Sequence, residues 1–176
     1  MDQIKSIESI GMPIMTHLKK NVVGIDHIAV AVQDLGDALN FACQTLGCTL
    51  VEMRETQGRL SGMRSAVLRL GGLVLVLVEG TTDQSQVAQF VAEHGSGVQH
   101  IALRVQDLTQ AIRELESTGM KFSTPRLDSE GLSQIFSVRD GSTGLMVEFI
   151  ERRNYDGFSD ENVQRLFQSL EARGTY

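Results

Sequence analysis

Tryptophan is absent, and aromatic residues make up only 5% of the 176-residue chain. A large aromatic binding groove is therefore not expected. Cysteine is almost as scarce. Cys43 and Cys48 form no CxxC motif and are too few for a disulfide scaffold, so they read as reduced thiols of a cytoplasmic protein. Positive charge is also short: 16 Lys and Arg against 22 Asp and Glu leave a net charge of −6. A nucleic-acid or anionic-membrane partner needs basic patches, so neither is expected. Long apolar runs are missing as well. The longest, Leu73 to Val78, is far below the ~20 residues that span a bilayer, and it fits a buried strand. The N-terminal stretch 1–20 carries no signal-peptide pattern and reads as an extension of little structural weight.

What is present is an ordinary folding composition, with 41% hydrophobic and 22% charged residues, and a repeat. The segment GIDHIAVAVQDLGDAL (Gly24 to Leu39) matches GVQHIALRVQDLTQAI (Gly97 to Ile112) at nine of sixteen positions, at an offset of 73 residues. His27 coincides with His100. Asp34 coincides with Asp107, each placed to cap a helix that stops at Gly47 or Gly119. Strand-like runs follow each helix: Thr49 to Arg54, Arg64 to Leu70 and Leu73 to Val78 in the first half, then Lys121 to Ser123, Gln134 to Val138 and Leu145 to Ile150 in the second. The fold class is therefore α+β, with two tandem βαβββ modules over 21–80 and 97–153. A linking helix covers 84–94, and a C-terminal lid helix within 154–176 is capped by Ser159.

Alternation along the strands puts His27, Ala29 and Ala31 on one face and Ile28, Val30 and Val32 on the other. The branched face suits helix packing, and the His face leaves room for a cavity. The second half repeats this with His100, Ala102 and Arg104. Aligning the last strands from Gly72 and Gly144 pairs Val76 with Glu148, a carboxylate in an apolar strand. A lone strand histidine is more often a core residue than a ligand. A duplicated histidine with a Glu at a symmetry-related site favours metal binding instead. Two imidazoles and a carboxylate form the facial set of non-haem Fe(II) oxygenases, although manganese or cobalt would also suit it. His17 and His94 lack such partners and read as surface residues; Cys43 and Cys48 read as packing residues.

With SGMRSAVLRL (Ser61 to Leu70), SQVAQFVAEHGSGVQHIAL (Ser85 to Leu103), SQIFSVRDGSTGLMVEFIERR (Ser133 to Arg153) and GFSDENVQRLFQSLE (Gly157 to Glu171), the chain resembles the vicinal-oxygen-chelate superfamily, and within it the catalytic half of 4-hydroxyphenylpyruvate dioxygenases. The resemblance implies Fe(II) held by His27, His100 and Glu148. It also implies an α-keto acid and dioxygen as substrates, Gln134 and Phe136 in contact with substrate, and Phe158 and Asn162 on a lid helix. Val78 stands where the family has an Asn, Val163 where it has a Phe, and Arg104 where it has a small residue. These departures point to a smaller or more aliphatic substrate. Arg104 is either a carboxylate partner or a surface charge. The family's N-terminal half is missing, so its contacts would come from elsewhere, such as a homodimer partner. A second resemblance, to methylmalonyl-CoA epimerases, rests on RETQG (Arg54 to Gly58). It would make Glu55 a base, against its reading as a solvated hairpin residue. A metal-free small-molecule-binding protein of the same fold and a plain interaction module remain open at this point.

Overall fold

The computed structural model describes residues 16–129, 131–154 and 157–171. Most of the expected N-terminal extension lies outside them, as do the side chain of His17 and Ala172 at the expected helix end. Eight strands form one curled sheet: β1 (Val22–Ala31), β2 (Thr49–Gln57), β3 (Gly62–Leu70), β4 (Leu73–Gly80), β5 (Gly97–Val105), β6 (Leu127–Ser129), β7 (Leu132–Phe136) and β8 (Val147–Arg152). Their order is β2-β3-β4-β1-β5-β8-β7-β6. β1 runs parallel to β4 and β5 parallel to β8, while β1 and β5 pair antiparallel at the centre. The two modules thus meet through their first strands, the two that carry the histidines.

Helices α1 (Thr16–Asn21), α2 (Leu35–Asn40), α3 (Gln86–His94), α4 (Leu108–Ser117) and α5 (Asp160–Glu171) cover the sheet. Asp34 Oδ1 accepts from Asp37 N at 2.8 Å and Asp107 Oδ1 from Gln110 N at 2.9 Å, so both repeat-related helices begin on an Asp cap. Gly47 (φ 75°) and Gly119 (φ 87°) follow them in the left-handed region that glycine adopts without a Cβ penalty. The first helix differs from its repeat. After α2 the chain widens into a π-helical turn, Phe41–Thr45, which buries Ala42 and leaves Phe41 exposed.

The branched faces of the strands pack outward as expected. Ala66, Leu68 and Leu77 meet Leu35 and Ala42 in the first module, and Ile135 and Phe149 meet Leu108, Ala111 and Leu115 in the second. On the inner face, Ala31 and Val78 pack against Val87 and Phe90 of α3. β4 lies between two strands but is only partly buried over Leu73 to Val76, because one of its faces looks into the cleft. The strand expected over Lys121 to Ser123 is reduced to a bridge between Phe122 and Ser137, and the edge strand sits at β6. Pro125 has no N–H to extend the ladder, and the Thr124 hydroxyl accepts the hydrogen bond from Phe136 N instead, at 3.0 Å. The linking helix starts at Gln86, two residues later than expected, because Ser85 holds extended backbone at its N-cap. Among the described residues no helix is long and apolar enough to cross a membrane.

Candidate metal centre

The central β1–β5 register sets His27 opposite Ala102 and Ala29 opposite His100, so the two histidines exchange under the repeat. Ala102 also sits beside Glu148 on β8, and Ala29 beside Val76 on β4. Four equivalent inward positions result, three of them occupied by donors. His27 Nε2 lies 3.2 Å and His100 Nε2 3.4 Å from Glu148 Oε2, and the two nitrogens lie 3.3 Å apart. The alanines between them keep the floor clear of bulk.

A divalent ion fits this donor set. Glu148 is buried and its Oε1 has no hydrogen-bond partner among the described residues, an arrangement that is costly for a carboxylate unless a cation answers it. Each histidine also has its far nitrogen fixed. His27 Nδ1 donates to Asp26 Oδ1 at 2.9 Å, and His100 Nδ1 pairs with Gln99 Oε1. Both Nε2 atoms are therefore aimed at the same point, the orientation that metal-ligating histidines need.

Asp26 and Gln99 hold the same place in the repeat, one residue before each histidine. Strict alternation would send them to the opposite face. The ladder is irregular between Ile25 and His27 and again between Ala29 and Val30, where β5 steps past Gln99; each irregularity inserts an extra residue. Such bulges turn a side chain back toward its neighbour's face. Asp26 is then gripped by Arg152, with Nε to Oδ2 at 2.6 Å and Nη2 to Oδ1 at 2.8 Å. Alternation alone did not reveal Asp26, Gln99 or Arg152; their only sequence signals were the matched positions before the histidines and the arginine pair at the end of the last strand.

Charge in the centre is strongly coupled. Burial works against an imidazolium at His27, but the Glu148 and Asp26 carboxylates outweigh it and push its pKa up to about 9. Burial raises Glu148, yet the two histidines overcome this and hold it down at about 2. His100 goes the other way: burial dominates and keeps its ring below the usual histidine range. Of the three groups, His27 is thus the one that holds a proton, against the Glu148 carboxylate.

Beside the donors lies a cavity of about 100 Å3. Gln134, Phe136, Val78, Phe158, Asn162 and Val163 all line it. Phe136 sets its ring edgewise on His100 and Phe158 does so on His27, both at 5.1 Å between centroids. Gln134 Nε2 donates to Asn162 Oδ1 at 2.7 Å, tying α5 to the sheet. Two expected residues stand elsewhere. Glu55 is exposed on the far face of β2, where it accepts from Gln57 Nε2 at 2.9 Å. Arg104 lines an adjoining depression with Arg69, Val51 and Val74, which shares Val67 and Phe158 with the cavity. The cation that does line the cavity is Arg54, which the sequence reading passed over. It is spent on Glu52, on Asp160 Oδ1 at 2.7 Å and on the Phe158 carbonyl at 2.7 Å. His94 is exposed, Cys48 is buried and Cys43 partly so, each in line with its sequence reading.

Residues 26–136 match the model of the Glyoxalase/Bleomycin resistance protein/Dioxygenase superfamily. Over 151 aligned residues the chain is 29% identical to a 4-hydroxyphenylpyruvate dioxygenase of Pseudomonas aeruginosa, covering 66% of this chain and 42% of that protein. A variant of 4-hydroxymandelate synthase from Streptomyces coelicolor shares the fold with a TM-score of 0.75 at 23% identity, over 86% of this chain and 54% of that one. Methylmalonyl-CoA epimerase from Mycobacterium tuberculosis superposes with a TM-score of 0.63 at 28% identity, over 82% and 95%. The chain spans about half the length of the first curated relatives it matches.

Proposed function

The chain belongs to the Glyoxalase/Bleomycin resistance protein/Dioxygenase superfamily, and from that premise we propose that it is a non-haem Fe(II) dioxygenase that decarboxylates and oxygenates an α-keto acid. The observation that carries this reading is the convergence of His27 Nε2, His100 Nε2 and Glu148 Oε2 on the wall of a mainly aliphatic cavity. In the net reaction the keto acid loses CO2. One atom of O2 enters the new carboxylate and the other enters a C–H bond of the substrate, so no second reductant is needed. Bound iron would supply the electrons for oxygen activation and a chelating centre for the keto acid.

The protein's own groups would bind, orient and exclude water. The Gln134–Asn162 amide pair offers polar contacts to the substrate, and the Phe136 and Phe158 rings fix the planes of the two imidazoles. Val163, Leu166 and Leu170 of α5 roof the cavity and keep bulk water from the reacting atoms. Val67, Val76 and Val78 form much of the opposite wall. This surface favours an aliphatic tail over a phenol, whose buried hydroxyl would go without a partner at Val78 at about 1–3 kcal/mol. The same site would also accept Mn(II) or Co(II).

An epimerase would need a carboxylate base beside the metal. Glu148 is the only acidic side chain lining the cavity among the described residues, and Glu55 points away from it. Anaerobic reconstitution with Fe(II), followed by an oxygen electrode and a keto-acid panel, tests the proposal. Oxygen uptake with 2-oxoisocaproate exceeding that with 4-hydroxyphenylpyruvate is expected. No uptake with any keto acid, together with solvent deuterium entering methylmalonyl-CoA, would move the protein to the epimerases.

A further inference from the structure

Arg152 lies four residues after Glu148 on β8, so the ligand and this arginine share a face. Its side chain is only 4% exposed. Two of its N–H groups close a bidentate pair on Asp26, the carboxylate that fixes the His27 tautomer. A third, on Nη1, donates to the Gly157 carbonyl at 2.8 Å, where the chain turns toward α5. The guanidinium also stacks on the Phe158 ring at 4.8 Å, and that ring stands edgewise on His27. The contacts form a closed circuit: His27, Asp26, Arg152, Phe158 and back to His27. Every link is a direct contact of buried or half-buried groups.

The first module has no counterpart. The sheet register makes Gly80 the equivalent of Arg152, and there a Cβ would come within 2.7 Å of Ala88 N in α3. The residue before His100 is neutral Gln99 rather than a carboxylate. The circuit therefore belongs to the half of the centre that α5 covers. A planar, five-donor guanidinium can hold a carboxylate, a carbonyl and an aromatic face at once, which an ammonium cannot.

We infer that Arg152 is a positioning residue that couples the seating of the C-terminal helix to the orientation of the metal ligand His27. With α5 seated, Phe158 and Gly157 hold Arg152, Arg152 holds Asp26, and Asp26 holds the imidazole ready for metal. When α5 lifts, Arg152 loses its stacking partner and the Gly157 carbonyl, and His27 loses its edge contact. Linkage is reciprocal, so metal on His27 must in turn favour the seated helix. The inference rests on the three-ligand metal site but not on the oxygenase chemistry.

The test uses Mn(II) binding to the full chain, with hydrogen exchange of the α5 amides in the presence and absence of metal. In the parent protein, saturating Mn(II) should slow α5 exchange by about tenfold, within the usual range of coupling between sites. In Arg152→Lys, charge is kept but the fork and the stack are lost. Mn(II) should then bind about tenfold or more weakly, the usual loss for an outer-shell partner, and should no longer alter α5 exchange. Phe158→Leu breaks only the ring contacts and should weaken both effects; it decides the matter if Arg152→Lys does not fold. A merely structural role for Arg152 would lower the melting temperature yet leave the metal-dependent protection of α5 intact, and that result overturns the inference. Mn(II) binding to the parent protein with no change in α5 exchange also overturns it. A parent protein that binds no divalent metal overturns the metal site itself.

Discussion

Metal uptake should be coupled to the loss of one proton from His27, and the size of the effect follows from the centre. Its pKa stands at about 9 without metal, because Glu148 and Asp26 outweigh burial. A metal ion needs the Nε2 lone pair and so must displace that proton. Glu148, at about 2, stays ionised throughout the working range, and His100 is held below the usual histidine value. The pH dependence above neutrality therefore belongs to His27. Between pH 6.5 and 8.5 the competing protonation factor falls from about 300 to about 4, so affinity should rise about 80-fold. A histidine at the ordinary value of about 6.5 would give only about twofold over the same interval. Mn(II) titrations followed by electron paramagnetic resonance give the affinities. Calorimetry at pH 7 in buffers of different ionisation enthalpy counts the proton. A rise of about twofold, with no proton released, would refute the assignment of a charged His27 in the metal-free centre. The same raised pKa stabilises the metal-free fold fully below about pH 6.5, and this stabilisation is lost as the pH climbs through about 9. The metal-free protein should therefore melt lower at pH 9.5 than at pH 6.5, in contrast to the metal-loaded form.

His27→Ala, His100→Ala and Glu148→Ala should each abolish stoichiometric metal retention, measured by elemental analysis after desalting, because three ligands leave no redundancy. Asp107→Ala removes the cap of α4 and should cost about 0.5–2 kcal/mol in urea unfolding while leaving Mn(II) affinity unchanged. Leu68→Ala empties a fully buried core position on the outer face and should cost about 2–5 kcal/mol, again with the metal retained; weakened metal binding in that variant would show that the outer core and the centre are not independent. Asn162→Ala leaves Gln134 Nε2 buried without its acceptor. It should lower stability by about 1–3 kcal/mol and accelerate hydrogen exchange in α5.

Both modules, the three candidate metal ligands and about half of the cavity lining could be read from one line of sequence. The reason is the duplication: two copies of one strand–helix unit report their shared positions twice, so His27 with His100 and Asp34 with Asp107 stand out without an alignment. Strand period and position in the repeat then make Glu148 the equivalent of Val76, which the β1–β4 and β5–β8 registers reproduce. Asp26 and Gln99 escaped because a strict period of two assigns them to the wrong face, and two of the three irregularities in the central ladder, invisible in composition, bring them back. Glu55 was placed by a matched segment, which carries no information about the face of a twisted strand; Arg104 was placed by alternation from His100, which does not say how far the cleft extends. Arg152 and Arg54 lie close in sequence to residues that were noticed, yet their roles depend on where residues 157–160 return to the sheet. That return is decided by long-range packing of α5, which brings Gly157 and Phe158 against Arg152, and Asp160 against Arg54. Local periodicity records which face of an element is apolar. The pairing of charges across 100 or more residues is settled only when the chain has closed and each buried ion must find a partner.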